Sequence, residues 1–266
     1  IVFGDWSSDV CSSDLKLLRG EPGTEVSITT FRPSSNQSKD HQLTRAIIKV
    51  EMVKDINGKK EFPLDDSKIG YVRVTQFGEK TSGDLDAALR KLKNQGMQAL
   101  ILDLRWNPGG LLDQAVAVCE KFLPRGQLVV TTEGATAGQS SVRNVTGRSG
   151  EFRNLPVVVL VNYGSASASE IVAGCLQDCA ALGVCKAMGV GEKTFGKGSV
   201  QSIIPLPDGA SALRLTPAKY YTPSHKVIHE EGITPDFIVT MTDDEESAIL
   251  LQRAPGGIES LEEKDR

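Results

Sequence analysis

The chain has 266 residues, 39% hydrophobic and 24% charged, and its 30 Lys and Arg against 34 Asp and Glu give a formal charge of −4. That near-balance offers no electrostatic case for nucleic acid or an anionic membrane, and no run approaches the ~20 apolar residues of a membrane helix. Length and glycine usage suit one large soluble α/β core plus a piece of a second domain.

In chain order, residues 4–15 (GDWSSDVCSSDL) come first. They show neither helical nor strand periodicity and read as the translation of a short-read sequencing adapter, so residues 1–15 are set aside. Removing Asp5, Asp9 and Asp14 takes the formal charge from −4 to −1. It also voids the S-x-x-K pattern of Ser13 to Lys16, which straddles the junction. Residues 16–50 look like half a domain: a helix ending at Gly20, then strands over 26–31 and 41–50 joined by a polar loop over 33–40. A charged connector with an Asn57-Gly58 turn fills 51–67.

Residues 68–242 carry dense α/β signals. A strand is expected over 69–77. Thr81 and Ser82 then offer N-caps to a helix from about Gly83 to Asn94, with Leu85, Ala88, Leu89 and Leu92 on one face. A buried strand (99–104) and a helix (112–122) follow, then strands over 128–131 and 157–161 separated by a polar, Gly-rich flap over 133–154. A helix over 168–176, a strand over 187–190 and a hairpin of 199–204 with 211–215 around Asp208-Gly209 complete the core. Residues 243–266 read as a polar tail. Strands alternating with helices imply layers.

Apart from Cys11 the cysteines are Cys119, Cys175, Cys179 and Cys185. Their spacings, with no histidine nearby, fit no zinc pattern. They read as small buried hydrophobes, with a Cys179–Cys185 bridge as the alternative suited to an extracytoplasmic protein.

Three segments bear on chemistry. Asp103 to Gly110 (DLRWNPGG) is a strand running into a glycine turn that opens a helix, which exposes N–H groups to an anion or a developing oxyanion; alone, Pro-Gly-Gly is a plain turn. Val157 to Glu170 (VVVLVNYGSASASE) runs an apolar strand into small residues and a helix, the geometry that presents a hydroxyl at a sheet end; each serine is equally an N-cap candidate. A hydroxyl needs a base, and His41, His225 and His229 are poorly placed. Gly191 to Gln201 (GEKTFGKGSVQ) sets a lysine between glycines ahead of a strand. Most loop lysines are solvated; a lysine base must be neutral, which means bringing its pKa from ~10.4 towards ~7 by burial. Gln201, on the strand face shared with Ser199 and Lys197, is placed to hold such an amine.

In this order, strand–NPGG–helix, strand–GSASASE–helix and TFGKGSVQ resemble the C-terminal processing (tail-specific) proteases over roughly 68–240. Gly232 to Asp236 (GITPD) resembles the end of their core, and residues 16–50 resemble the second half of a PDZ domain. The resemblance implies a layered, crotonase-like (ClpP-like) α/β protease core preceded by that half PDZ. It implies Ser167 as nucleophile, Lys197 as general base and Gln201 as its partner, with Ala168 N–H and Gly109 or Gly110 as oxyanion hole. Glu170 and Thr194 match supporting positions, and Asp178 a structural or supporting aspartate. Implied substrates are proteins or peptides with nonpolar C-terminal tails, in the periplasm or cell envelope, with no cofactor, metal or nucleic acid. Membrane or adaptor association and oligomeric state are not legible.

Two features depart from the family pattern. Lys197 follows Ser167 by about five residues more than the family pattern, the excess falling in CAALGVC (179–185). The first half of the PDZ is missing, so tail selectivity is expected to be weak. The rival reading is a non-catalytic ligand-binding module, or a crotonase-like acyl-binding protein, on the same core; the joint presence of Ser167, Lys197 and Gln201 favours the peptidase.

Overall fold

The structure, a computed structural model, describes residues 17–32, 35–47, 51–134, 140–147, 150–206 and 211–253. The chain divides into two compact units, residues 1–51 and 52–266. The described part of the first unit is a hairpin in which β1 (Glu25–Arg32) pairs antiparallel with β2 (Gln37–Thr44), Glu25 opposite Thr44 and Arg32 opposite Gln37. The second strand therefore starts four residues before the position expected from the run at 41–50. Polar cross-strand pairs hold this register: Thr29 Oγ1 donates to Asp40 Oδ1 (2.7 Å) and Thr30 Oγ1 meets His41 Nε2 (3.0 Å). Arg45 closes the hairpin onto the preceding helical turn through the carbonyls of Leu17 and Leu18.

The second unit runs β3 (Val53–Lys54), β4 (Ile69–Val74), α1 (Thr81–Asn94), β5 (Ala99–Asp103), α2 (Leu112–Cys119), β6 (Leu128–Gly134), β7 (Ser141–Asn144), β8 (Val157–Val161), α3 (Ala168–Ala181), β9 (Ala187–Gly191), β10 (Ser199–Pro205), β11 (Ala212–Tyr221), β12 (Phe237–Ile238) and α4 (Asp243–Arg253). A six-stranded sheet has the order β12-β9-β8-β5-β4-β3, parallel throughout except for antiparallel β3. An antiparallel sheet has the order β10-β11-β6-β7. This is a mixed α/β fold. Alternate residues of β4 and β8 (Val72, Val74; Val157, Val159, Val161) are buried, as are Leu85, Leu89 and Leu92 of α1, so the helical face and the strand faces share one core.

Several elements differ from expectation for local reasons. Helix α1 begins at Thr81 because its Oγ1 is used in the preceding turn, accepting Gly78 N–H (2.9 Å) and donating to the Gln76 carbonyl (3.1 Å). Part of the polar flap is strand β7, and Val145 and Phe152 anchor the segment in the core. Helix α3 does not stop at Leu176 but runs to Ala181, closing in a Schellman motif with Gly183 N–H on the Ala180 carbonyl and Val184 N–H on the Cys179 carbonyl. The extra length between Ser167 and Lys197 is thus taken up partly as helix. The register of β10 with β11 shifts between Val200 and Ser202, where β11 carries the extra residue, Thr216 and Pro217 standing against Gln201, and Pro217 has no N–H to give the ladder.

Cys119, Cys175, Cys179 and Cys185 are all buried free thiols, and burial, with Cys179 and Cys119 close by, pushes Cys185 up to about 12. Asp55 closes the loop after β3: Oδ1 accepts the N–H groups of Asn57 and Lys59 (2.9 Å each), Oδ2 those of Glu61 and Phe62 (3.0 Å each). Burial pushes this carboxyl up, but the four N–H donors outweigh it and hold it below the usual carboxylate range. A pKa lowered by folding adds stability that is present above the unfolded value, ~3.9, and is lost as pH falls through the folded one. Asp55→Ala is expected to cost roughly 2–4 kcal/mol at neutral pH by orphaning these donors, and urea unfolding of the two proteins at pH 7 and pH 3 should show the difference shrinking in acid.

Candidate active site

Strand β5 ends at Asp103, whose carboxylate accepts bonds from Arg105 and from the Tyr71 hydroxyl. The turn that follows is built around buried Asn107. Its Nδ2 donates to the Val74 carbonyl (2.8 Å) and its Oδ1 accepts Gly109 N–H (2.9 Å). Gly109 has φ 98° and Gly110 φ 143°, both in the region that favours glycine. A Cβ on Gly109 would lie 2.6 Å from the Ala166 carbonyl oxygen and 2.8 Å from Ser167 Cβ; on Gly110 it would strike the Phe77 carbonyl. The NPGG turn therefore lies against the Ser167 turn with backbone touching backbone.

The second turn leaves β8 at Asn162. Asn162 Oδ1 accepts N–H groups from both turns, Trp106 (2.8 Å) and Gly164 (3.1 Å), while Ala166 N–H donates to the Asn107 carbonyl (3.0 Å). The three serines divide cleanly. Ser165 Oγ donates to the Leu104 carbonyl (2.8 Å) and accepts Asn162 N–H (3.1 Å), and Ser169 Oγ donates to the Asn107 carbonyl (2.9 Å); both residues are fully buried. They are structural pins between the turns. Ser167 alone is half-buried, and its backbone, φ 56° and ψ −114°, lies outside the usual regions for an L-residue. Such a backbone holds ~1–3 kcal/mol of strain at a strand-to-helix turn, an arrangement able to present a hydroxyl at a sheet end. Ala168 N–H, first in α3, and Gly110 N–H have no hydrogen-bond partner among the described residues, whereas Gly109 N–H is occupied by Asn107. Two uncommitted donors beside a helix N-terminus suit a developing oxyanion.

Glu170 joins this turn to the lysine segment. Its side chain is wholly buried and accepts four bonds: Oε2 from Ser167 N–H (2.7 Å) and Lys197 N–H (2.9 Å), Oε1 from Thr194 Oγ1 (2.6 Å) and Gly196 N–H (2.6 Å). One carboxylate oxygen thus lies between the backbones of Ser167 and Lys197. Thr194 Oγ1 also accepts Ile233 N–H (2.7 Å), fixing the far side of the segment. The Lys197 side chain is exposed, and among the described residues no hydrogen bond joins it to Ser167 Oγ. The Gln201 side chain lies outside the described residues. Asp178 is three turns along α3, ~16 Å from Ser167. It accepts Ser224 N–H (2.9 Å), Ser224 Oγ (2.6 Å) and Lys226 Nζ (3.0 Å), and so pins the turn after β11 and lies apart from the Ser167 cluster. Burial pushes its carboxyl up, and these bonds with one from Thr222 bring it below the ordinary value.

Sequence reading did not single out Asn107 and Asn162, the residues that lace the turns. Asn162 is the first polar residue after an apolar run at a strand end, and Asn107 directly precedes the Pro-Gly-Gly turn, both places where a side-chain amide can mimic turn hydrogen bonds.

Residues 68–239 match the model of peptidase family S41. Over 228 residues the chain is 44% identical to the carboxy-terminal-processing protease of Bartonella bacilliformis, covering 84% of this chain and 48% of that protein. Over 226 residues it is 39% identical to the carboxyl-terminal-processing protease of a Synechocystis species, covering 84% and 49%. The chain spans about half the length of these curated relatives. The structure superposes on that of a photosystem II D1 C-terminal processing protease with a TM-score of 0.60 at 30% identity, covering 88% of this chain and 61% of that one. With a family match over most of the chain and a fold to agree with it, this protein belongs to peptidase family S41, with the carboxy-terminal-processing proteases.

Proposed function

We propose that the chain is the catalytic part of a serine endopeptidase that cuts proteins near or from their C-terminal tails. The observation that carries this reading is Glu170 Oε2, which accepts the N–H groups of both Ser167 and Lys197 and so sets a strained serine beside a lysine. Ser167 Oγ attacks the scissile carbonyl and gives its proton to the neutral amine of Lys197, with Gln201 as that amine's partner. The tetrahedral oxyanion is received by Ala168 N–H and Gly110 N–H, while Gly109, its own N–H taken, supplies the close approach. The protonated amine then passes the proton to the leaving nitrogen, and water hydrolyses the acyl-enzyme. Lys197 is exposed before substrate arrives, so a tail lying over it supplies the desolvation that a neutral amine requires.

The names of the relatives support tails as substrates, nonpolar ones in this reading, and the crotonase-like layering is part of it. The hairpin of the first unit is the second half of a PDZ domain, a module that takes a tail as an added strand. The proposed location is the periplasm or cell envelope; no helix among the described residues is long and apolar enough to cross a membrane. A binding module has no use for the strain at Ser167, which weighs against the non-catalytic and acyl-binding readings.

The test is cleavage of a protein with a nonpolar tail across a pH series. The expected rate rises with pH through a single ionisation, as the amine loses its proton, and is indifferent to chelators. Lys197→Ala should remove this activity by at least ~100-fold. Cleavage lost to a chelator and restored by zinc would replace the lysine mechanism with a metal one.

A further inference from the structure

The polar tail expected over 243–266 holds a structured helix, α4. A capping box closes its start: Thr242 N–H and Oγ1 donate to Glu245 Oε2 (2.8 and 3.0 Å), and Glu245 N–H returns to Thr242 Oγ1 (3.3 Å). Most of the helix is solvated, with Glu246 and Ile249 as its half-buried positions. Glu246 Oε1 accepts two bonds, from Trp106 Nε1 (2.8 Å) and from the Tyr163 hydroxyl (2.7 Å).

These donors belong to the two turns that meet at Ser167. Trp106 lies three residues before Gly109, and Tyr163 four residues before Ser167. Trp106 also has a left-handed backbone, φ 56°, which costs a non-glycine residue ~1–2 kcal/mol. Its ring is held between charges, with the Arg105 guanidinium 5.5 Å from the centroid and the Glu246 carboxylate at the indole N–H. Gly164 packs against Trp106, where a Cβ would come 2.9 Å from Trp106 Cα, so a shift of either turn is felt by the other. The bond to Glu246 also pushes the Tyr163 phenol above its ordinary value.

We propose that Glu246 is a positioning residue for the peptidase reaction. By bonding Trp106 and Tyr163 through one oxygen, it ties the C-terminal helix across both turns and sets the spacing of the Gly110 and Ala168 N–H groups. This rests on the reading of Ser167 as nucleophile. The backbone bonds at Asn162 and Asn107 join the turns to each other; Glu246 joins them to a third element whose hold on the core is mostly polar. Lifting α4 therefore loosens the oxyanion donors without opening the hydrophobic core.

The probe is a fluorophosphonate, which phosphonylates a nucleophilic serine through Oγ with expulsion of fluoride and needs the same oxyanion donors. The chain carries two tryptophans, Trp6 and Trp106, so a Trp6→Phe background makes Trp106 emission a readout independent of activity. Glu246→Ala should slow labelling about tenfold, the scale of a small misplacement at a reacting centre. It should also shift Trp106 emission and leave the thermal unfolding midpoint nearly unchanged. Glu246→Gln keeps an acceptor oxygen for both donors and should stay within about threefold of the parent, a rescue that a merely packing role does not give. Unchanged labelling in Glu246→Ala, unmoved emission, or equal slowing in Glu246→Gln would each overturn the proposal. Labelling of Ser167→Ala as fast as the parent sinks instead the nucleophile reading, and this inference with it. That failure is told apart because it leaves the emission shift of Glu246→Ala in place.

Discussion

Ser167→Ala is expected to lower cleavage of a nonpolar-tailed protein by ~10⁴-fold or more while leaving the fold intact. In the proposed mechanism the hydroxyl is the reacting group, so its loss removes the covalent route and leaves only what the oxyanion donors contribute. The Oγ donates to no backbone carbonyl among the described residues, and its capping-box bond from the Glu170 N–H at the start of α3 is worth about 1 kcal/mol, so only modest stability goes with it. The neighbouring serines should behave in the opposite way. Ser165→Ala orphans the buried Asn162 N–H and takes one of two bonds from the Leu104 carbonyl, and Ser169→Ala takes one of two from the Asn107 carbonyl. Each should cost roughly 1–3 kcal/mol of stability yet leave a measurable rate. Parallel urea titrations and initial rates separate the two patterns. Full activity in Ser167→Ala would end the assignment.

Glu170→Gln is expected to damage stability and catalysis together. Four donors converge on the carboxylate, two per oxygen. An amide keeps one acceptor oxygen and turns an NH₂ towards the other pair of donors, so one pair is opposed as well as unmet. The expected loss is about 3–5 kcal/mol, since the bonds are buried and charge-assisted. Cleavage should fall at least ~100-fold even under conditions where the variant is folded, because Ser167 and Lys197 no longer share an anchor. Circular dichroism melting and rates measured well below the midpoint distinguish this from simple unfolding. A variant with normal rates and a lowered midpoint would make Glu170 a packing residue only.

The parallel core was readable because strands such as β5 and β8 are short apolar runs bounded by turn residues, and because Leu85, Leu89 and Leu92 repeat at helical spacing. The turns bearing Ser167 and Gly109–Gly110 were readable as strand–small residue–helix junctions. Register was less legible. The first hairpin is set by polar cross-strand pairs at Thr29 and Thr30, which apolar periodicity does not reveal. The shift in pairing between β10 and β11 beside Gln201 is equally silent in the sequence, since Pro217 lies in a run that reads as a plain strand end. Helix α3 runs past its expected end since CAAL is itself a good helical sequence and Gly183 is the first residue suited to stop it. The tie from Glu246 to Trp106 joins residues 140 positions apart, and nothing local announces such a contact.

The four thiols of the core give the molecule a built-in clock for its own opening. Only the thiolate reacts, and only where a reagent can reach it. Cys119, Cys175, Cys179 and Cys185 are all buried out of a reagent's reach in the native state, and burial also pushes Cys185 up to about 12, so that it is almost wholly protonated near neutrality. Alkylation of these sites therefore proceeds no faster than the protein exposes its interior. Cys119 sits on α2, Cys175 and Cys179 on α3, and Cys185 just before β9, so mass spectrometry of singly modified peptides would rank the order in which these elements part. The moments at which the core lies open to a protease can thus be timed by the ordinary chemistry of sulfur.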